Sequence, residues 1–404
     1  MSTPLHAFGG VGIELEYMIV DRDTLNVLPV ADRLLAAAPG SEDYAVTHGA
    51  MGWSNELVMH VVEVKNLAPA PSLDGLPAAF RREVDQINAL LAGMGARLMP
   101  GAMHPWMDPD REARLWPHQN QEIYQAYDRI FDSRGHGWSN LQSMHVNLPF
   151  AGDDEFARLH AAIRLVLPLM PALAASSPIA DRRDTGHADY RMHVYTHNAD
   201  RMPSIAGLVV PETVRGKADY QARILQPMYD DIAALDPDGV LQHEWLNSRG
   251  AIARFDRDAI EIRVIDTQEH PGADLAVAAA VIDVTRRLYA GGDLRAQQEI
   301  ETTALAAVLA DCIRDGEAAI VDNAQYLRLL GFSEAGLNAA DIWRGLLQPL
   351  IGSADAAQWA PPLATILQHG TLARRIRGAV AREGMATACR RLCDCLERGH
   401  AFLP

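Results

Sequence analysis

The sequence predicts an α+β fold in which a mainly antiparallel β-sheet is flanked by helices. Two observations lead to this prediction. Segments with alternating polar and apolar residues, typical of half-buried strands, occur between residues 10 and 265 and are not spaced as regular βαβ units. From Ala273 onward nearly all of the chain has helical periodicity, so the C-terminal region is predicted to be helical.

The first predicted strand covers residues 10–20. Apolar side chains at alternate positions form one of its faces, and Glu14 and Glu16 project from the other. A second strand is predicted over residues 56–64, which are rich in β-branched residues. This segment begins at Glu56 and carries Glu63 near its end, so each strand would present two carboxylates.

Two helices are predicted in the first half of the chain. Residues 76–94 have apolar side chains at helical spacing along one face. Residues 153–176 form a longer helical pattern, and Asp153 or Asp154 is placed to cap its N-terminus. Both helices would be among those that flank the sheet.

Further strands carry polar residues on a common side. Residues 144–148 alternate so that His145 and Asn147 point the same way. Residues 251–255 and 259–265 read as a hairpin, and in its second strand Glu261 and Arg263 share one side. The intervening segment, residues 181–216, is irregular and rich in His, Arg and Asp, which is typical of a functional loop.

Composition and charge argue against some classes of binding partner. The chain has 404 residues, with 52 Asp and Glu against 36 Lys and Arg, and a net charge of −16. Such a surface repels nucleic acid and anionic membranes. The sequence shows no secretory signal, and its longest apolar run, residues 165–175, is interrupted by two prolines.

Cysteine usage and glycine positions suggest the location and the organisation of the chain. There are only four cysteines, of which Cys389, Cys393 and Cys395 lie close together, so we expect a reducing cytoplasm. That trio could bind a metal, but packing on a helix is the more frequent role. The clearest change in composition along the chain is at Gly291-Gly292. It predicts a catalytic domain at 1–290 and a helical C-terminal region at 291–404 that packs on this domain and is not independent of it.

Several catalytic sequence motifs are absent. The sequence has no phosphate-binding glycine loop, no complete dinucleotide fingerprint, no G-x-S-x-G elbow and no H-E-x-x-H helix. The remaining candidates for chemistry are the carboxylates on the predicted strands. Glu14 and Glu16 would project about 7 Å apart from one face, and Mg²⁺ prefers such oxygen ligands.

Each of these signals also has a structural interpretation. A single E-x-E strand is usually the solvent face of a half-buried sheet. Glu261 and Arg263 could form an exposed charge pair rather than bind a phosphate. His145 alone would more often be a hydrogen-bonded structural residue. The order in which these residues occur along the chain favours a functional site over these structural roles.

Read in that order, the sequence resembles the glutamate–cysteine ligase family, including its bacterial carboxylate–amine ligase branch. The matching segments, in chain order, are Gly12-Ile13-Glu14-Leu15-Glu16, Glu56 with Glu63, Gly101-Ala102-Met103-His104-Pro105-Trp106, Ser143-Met144-His145-Val146, residues 171–178, Gly186 with Tyr190-Arg191, and residues 260–266. The resemblance covers residues 10 to 288. It implies a glutamine-synthetase-like fold with a curved sheet.

The resemblance also implies an activity. Family members use ATP and Mg²⁺, or Mn²⁺, to join a carboxylate and an amine through an acyl phosphate. The implied metal ligands are Glu14, Glu16, Glu56, Glu63, His145 and Glu261. Arg263 would face the transferring phosphate, and Arg191 would hold substrate or phosphate. Asn147, where many members have a second histidine, would contact the nucleotide.

The implied partners are small amino-acid and amine substrates, with a homo-oligomer left open. The sequence does not identify which acid and which amine are joined. Residues 181–216 are the candidate cover over the site. Three alternatives stay open: a phosphagen-kinase-like phosphotransferase, a non-catalytic paralogue that binds metal or amino acids, and a zinc hydrolase that uses His187, His193 and His197.

Overall fold

The computed structural model describes residues 4–403 and has a nine-stranded sheet at its centre. The sheet strands are β1 Gly12–Asp21, β2 Ser41–Glu42, β3 Ala45–His48, β4 Met51–Asn55, β5 Val61–Asn66, β6 Ala96–Met99, β7 Ser143–Pro149, β10 Ala251–Arg254 and β11 Ala259–Asp266. Two small two-stranded sheets comprise β8 Ile179–Ala180 with β9 Arg183–Asp184, and β12 Ile320–Val321 with β13 Leu337–Asn338.

The order of strands in the main sheet is β10-β11-β7-β1-β5-β4-β3-β2, and β6 also pairs with β1. Every pairing between these strands is antiparallel. The predicted α+β class with a mainly antiparallel sheet is therefore confirmed. β1 lies near the middle of the sheet, so its side chains have neighbours on both sides.

Helices cover the apolar face of the sheet and continue to the C-terminus. The α-helices are Ala31–Ala37, Leu76–Ala92, Pro109–Glu112, Gln121–Phe131, His136–Ser139, Gly152–Val166, Met170–Ala174, Tyr190–Tyr195, Lys217–Tyr220, Gln226–Ile232, Pro271–Gly291, Leu294–Glu299, Thr302–Asp315, Ala324–Leu329, Ala339–Ile351, Ala360–His369, Leu372–Glu383 and Met385–Arg398. Alternate residues of β1 and the predicted apolar face of Leu76–Ala92 lie in one buried core.

The predicted strand over residues 56–64 is wrong at its start. Strand β5 begins only at Val61, and Glu56 lies in the turn between β4 and β5. This turn is fixed by contacts with a distant segment, because the Met59 amide donates to the Arg114 carbonyl and Val58 forms a bridge with Leu115. The β-branched composition of the segment did not reveal this long-range pairing.

The second long helix differs from its prediction in two ways. It begins at Gly152 after Ala151, and no side chain caps it, so Asp153 and Asp154 occupy its first turn instead. There their negative charges face the positive end of the helix dipole. The helix also tightens at Leu167–Leu169 before Met170–Ala174.

One helical stretch, Gly152–Ala174, is long and apolar enough to cross a membrane. Its most apolar window is 94% buried inside the protein. That degree of burial is typical of a core helix of a soluble protein, so this stretch is part of the core here.

The C-terminal helices share the core of the sheet region. Trp343 donates its indole N–H to the Leu169 carbonyl at 2.8 Å, and Tyr326 donates its hydroxyl to the Leu165 carbonyl at 2.6 Å. The buried Arg375 guanidinium pairs with Glu269 at 2.5 Å. We therefore propose that residues 291–404 do not fold independently of the rest of the chain.

The three clustered cysteines lie on the helix Met385–Arg398. Cys389 and Cys393 are buried in an apolar cluster with Met18 and Met99, and burial raises the pKa of the Cys393 thiol to about 12. The free thiols in this cluster act as small apolar side chains.

Replacing Cys389, Cys393 and Cys395 together with serine should therefore leave turnover per folded molecule near that of the parent. Stability should fall, since each buried hydroxyl without a partner costs about 1–3 kcal/mol. Denaturant unfolding and ATP-dependent turnover measure the two effects separately. A serine variant that stays folded but loses turnover would contradict a packing role.

Candidate active site

A cavity of about 550 Å³ opens over the polar face of the sheet. Its floor is formed by side chains of β1, β5, β7 and β11, and its walls come from segments between and beyond these strands. The side chains lining it include Glu14, Glu16, Glu56, Glu63, Lys65, Tyr124, Tyr127, Trp138, His145, Arg191, Tyr195, Trp245, Arg254, Glu261 and Arg263. This cavity therefore contains the six predicted metal ligands and both predicted arginines.

Sheet register brings the glutamates together. In the pairing of β1 with β5, Glu16 lies opposite Glu63, and in the pairing of β1 with β7, Glu14 lies opposite His145. Glu261 lies opposite Asn147 on β11 and β7. Because alternate side chains of a strand share a face, these antiparallel registers place all of these polar groups on one side of the sheet.

His145 is at the centre of the cluster. Its Nδ1 atom lies 3.1 Å from Glu14 Oε2 and 3.8 Å from Glu261 Oε1. Its Nε2 atom lies 3.8 Å from Glu16 Oε1. Burial lowers the pKa of His145, but the hydrogen bond with Glu14 and the charges of Glu16 and Glu261 outweigh this effect and raise the pKa above its ordinary value.

The glutamates carry an excess of negative charge in a buried place. Burial and the charges of Glu16 and Glu63 raise the pKa of Glu56 well above its ordinary value. Burial and the charge of Glu14 likewise raise the pKa of Glu63. Burial also raises the pKa of Glu14, but the hydrogen bond and charge of His145 reverse this and lower it. Bound cations would relieve this repulsion.

Two groups of ligand atoms have the spacing that a metal ion needs. Glu14, Glu63 and His145 form one group, and Glu16, Glu56 and Glu63 form the other; the atoms of each lie within 4.8 Å of one another. Carboxylate oxygens suit Mg²⁺, and a mixed oxygen and imidazole set also suits Mn²⁺. The residues therefore fit divalent cations, and Glu63 is shared by both groups.

Glu261 belongs to neither group in this structure. Its Oε2 atom lies 3.1 Å from Arg254 Nη1, and its Oε1 atom lies 2.8 Å from Arg263 Nε. The predicted alternation of β11 is confirmed, since Arg263 shares the cavity side with Glu261 and Ile262 lies in the core. Burial lowers the pKa of Arg263, but the charge of Glu261 outweighs it and raises the pKa.

Arg191 and Asn147 are held by different neighbours. Arg191 is buried in the helix Tyr190–Tyr195, and its Nε donates to Asp266 Oδ1. Its Nη2 atom has no hydrogen-bond partner among residues 4–403. Asn147 donates from Nδ2 to Glu14 Oε1 at 3.1 Å, and its buried Oδ1 likewise has no partner in the described chain.

Lys65 and the three aromatic residues that form one wall of this cavity were not identified from the sequence. Lys65 follows Glu63 by two residues on β5, so the alternation of that strand could have identified it. Tyr127 packs against Trp138 and Trp245, with ring centroids 5.3 and 6.0 Å away. These three residues come from segments with no strand pattern, and no local signal linked them.

Residues 181–216 contribute directly to the wall. Arg191, Tyr195 and Asn198 line the cavity, and Asn198 donates a hydrogen bond to the Gly137 carbonyl. A Cβ atom at Gly137 would overlap the Asn198 amide, so a larger residue there would force this side chain to move.

The structure gives the zinc-hydrolase alternative no support. The rings of His187 and His193 stack with centroids 4.0 Å apart, and His197 lies beside them. None of the ligand groups found among residues 4–403 includes these histidines. Their nitrogen atoms do not converge as a tetrahedral zinc site would need.

Two solved structures share the fold. The glutamate–cysteine ligase of Francisella tularensis in complex with AMP has a TM-score of 0.59 at 12% sequence identity, covering 98% of this chain and 90% of that chain. A bifunctional glutathione synthetase from Pasteurella multocida has a TM-score of 0.58 at 13% identity, covering 97% of this chain and 52% of that chain. The fold is thus the glutamine-synthetase-like class expected from the resemblance.

The sequence then identifies the family. The chain belongs to glutamate–cysteine ligase family 2, whose model matches residues 10–394. An uncharacterized protein of Archaeoglobus fulgidus is 29% identical over 397 residues, covering 97% of this chain and 100% of that protein. A Nocardioides sp. protein named "Putative glutamate--cysteine ligase 2-1" is 26% identical over 279 residues, 67% of this chain and 66% of the other. Family and fold together support a ligase of the glutamate–cysteine ligase type.

Proposed function

We propose that the protein is an ATP- and Mg²⁺-dependent ligase that joins a carboxylate to an amine and releases ADP and phosphate. The observation that carries this proposal is the convergence of five glutamates and His145 beside Arg263 in one cavity. A carboxylate and a triphosphate repel each other, so an enzyme that joins them must supply positive charge between them. The AMP complex of the Francisella enzyme, which shares the fold, supports a nucleotide substrate.

The glutamates and His145 are the groups that would hold the cations. The proposed ligand sets are the two groups that share Glu63, with Glu261 completing the cluster. Divalent ions bound there would supply charge neutralisation for the triphosphate and align it with the acceptor carboxylate. Because all of these ligands except Glu56 come from four strands of one sheet, and the turn that carries Glu56 is fixed by its pairing near Leu115, their positions are set before any substrate arrives.

Two arginines complete the phosphate-binding side. Arg263 is oriented by Glu261 through Nε, its Nη1 atom lies 3.5 Å from the Asn247 carbonyl oxygen, and the residue lines the cavity. Its guanidinium can donate two hydrogen bonds to the equatorial oxygens of the transferring phosphoryl group. Arg191, held through Nε by Asp266, can donate from its free Nη2 atom. Asn147 is not among the residues that line the cavity, so its proposed role toward the nucleotide is indirect and consists of holding Glu14 through the Nδ2 hydrogen bond.

The proposed reaction has two steps. An oxygen of the substrate carboxylate bonds to the γ-phosphorus of ATP, and the bond to ADP breaks. The amine nitrogen then bonds to the acyl carbon, the phosphate leaves with its oxygen, and the amine loses a proton. The aromatic wall of Tyr127, Trp138 and Trp245 lies beside the site of this chemistry and would keep water from the acyl phosphate.

We propose small molecules, namely an amino acid and an amine, as the substrates and the cytoplasm, where ATP is abundant, as the location. The net charge of −16 disfavours nucleic acid as a partner. The cavity volume of about 550 Å³ lies in the range of small-molecule sites.

Removal of divalent cations should abolish the activity. Purified protein should release ADP from ATP in the presence of paired amino acids and Mg²⁺ or Mn²⁺, with an amide detected by mass spectrometry. Excess chelator should reduce this release to background, because the uncompensated glutamates repel the triphosphate. Full activity in chelator would contradict the proposed metal site.

Omission of the amine distinguishes the ligase from a phosphotransferase. A ligase should form the amide only when both substrates are present. A stable phosphorylated product that accumulates equally with and without amine would instead identify a phosphotransferase of the same superfamily. A folded protein that binds Mn²⁺ but releases no ADP with any pair would identify a non-catalytic paralogue.

A further inference from the structure

Lysine is scarce in this chain, and one lysine lies inside the glutamate cluster. Of the 36 basic residues only Lys65 and Lys217 are lysines. Lys65 lies on β5, where the register places it directly opposite Glu14 of β1. Its Nζ atom donates a hydrogen bond to Glu63 Oε1. The lysine therefore contacts the glutamate that both cation groups share.

The charges around Lys65 show why this contact matters. Arg254 and Arg263 both contact Glu261, and within the described chain neither forms an ion pair with the other four glutamates. His145 and Lys65 are the remaining cationic groups in contact with that set in the described chain. Lys65 has a side-chain exposure of 33%, so solvent screens its charge only in part.

We propose that Lys65 is an internal cation that competes with a divalent ion for Glu63 at the position formed by Glu14, Glu63 and His145. This inference rests on the metal site of the proposed function. The ammonium group neutralises part of the glutamate cluster when this position holds no ion. A divalent ion that binds there must displace the ammonium from Glu63 and is also repelled by its charge. Glu63 belongs to both cation groups, but Lys65 also lies directly opposite Glu14 in the strand register, so its charge weakens this position more than the one formed by Glu16, Glu56 and Glu63.

Lysine suits this role better than arginine. An ammonium group is a compact point charge on a flexible stem, so it can leave Glu63 and remain nearby. A guanidinium would hold the carboxylate with two parallel hydrogen bonds and would be harder to displace. The displaced ammonium would remain in the cavity, where a substrate phosphate could accept its hydrogen bonds.

Mn²⁺ binding without nucleotide tests this inference. Electron paramagnetic resonance of free Mn²⁺ gives the number and affinity of bound ions for the parent and for Lys65→Met. Removing the competing charge should tighten the weaker Mn²⁺ position on the order of tenfold or more. Lys65→Arg keeps the charge and should bind Mn²⁺ no more tightly than the parent.

Lys217→Met is the matched control. Lys217 has a side-chain exposure of 35% and pairs with Asp258 at 2.8 Å, away from the residues that line the cavity. Its replacement should leave Mn²⁺ binding unchanged. In thermal melts, Lys65→Met should lose more stability in chelator than in Mn²⁺, because the ion replaces the missing charge.

The outcomes separate the two proposals. If the parent binds Mn²⁺ but Lys65→Met binds it with the same affinity and number, Lys65 is not a competing cation and the metal site stands. If neither the parent nor Lys65→Arg binds Mn²⁺, the metal site is wrong and this inference fails with it. If Lys65→Met folds only in the presence of Mn²⁺, the counter-cation role is supported directly.

Discussion

Replacing Arg263 with alanine is expected to lower turnover by about 10²–10³-fold while the protein stays folded. The guanidinium lies on the cavity side of β11 beside Glu261, where it would meet the negative charge that develops during phosphoryl transfer. Unfolding free energy should change by no more than about 1–2 kcal/mol, because Arg254 remains in contact with Glu261.

The measurement compares the rate of ADP release with thermal melting in saturating Mg²⁺. Arg263→Lys keeps the charge but not the two-pronged geometry, so it should restore turnover only in part. Arg295→Ala, which is not among the residues that line the cavity and has a side-chain exposure of 87%, controls for the general loss of positive charge and should have a much smaller effect. An Arg263→Ala protein with near-parental turnover, or one that unfolds, would rule out the phosphate-binding role.

Replacing Glu63 with glutamine is expected to lower turnover on the order of 10³-fold, because a single residue serves both cation groups. Glutamine has the same shape but lacks the charge that attracts a divalent ion. Burial and the charge of Glu14 already raise the pKa of Glu63, so its removal also relieves repulsion. Stability without metal should therefore change little, whereas Mn²⁺ affinity should fall together with turnover.

Glu83→Gln is a control with the opposite expected pattern. Glu83 is as buried as Glu63, but it accepts hydrogen bonds from Trp53 at 2.8 Å and His48 at 3.1 Å on a helix outside the cavity. Its replacement should reduce stability by weakening these charge-assisted bonds and leave Mn²⁺ affinity unchanged. Equal losses of turnover in both variants at full folding would contradict the assignment of Glu63 to the metal site.

The parts of the fold that the sequence predicted are those governed by local periodicity. The alternation of β1, the hairpin of β10 and β11 and the amphipathic helix Leu76–Ala92 all appear where expected. Each of these patterns arises because one face contacts the core and the other does not. Glu56 was wrongly predicted to lie in a strand, because the turn there depends on long-range pairing with residues near Leu115 and local periodicity does not show such pairing.

The candidate site also has a part that local periodicity predicted and a part that it did not. Alternation on single strands was enough to select Glu14, Glu16 and Glu261, but not to show which of them share a neighbour. The position of Glu63 and Lys65 relative to Glu14 and Glu16 depends on the register of β1 with β5. Register between distant segments is set by tertiary packing, which single-sequence patterns do not contain.

The arrangement of the cavity also bears on how substrate range can evolve. Its charged floor belongs to strands, and a one-residue shift in the register of any one of them would turn the polar side chains of that strand toward the core. Its aromatic wall comes from the helix Gln121–Phe131, the segment around Trp138 and the one around Trp245, outside the sheet. Mutations in the wall can therefore reshape what enters the cavity while the phosphate chemistry on the floor is inherited unchanged.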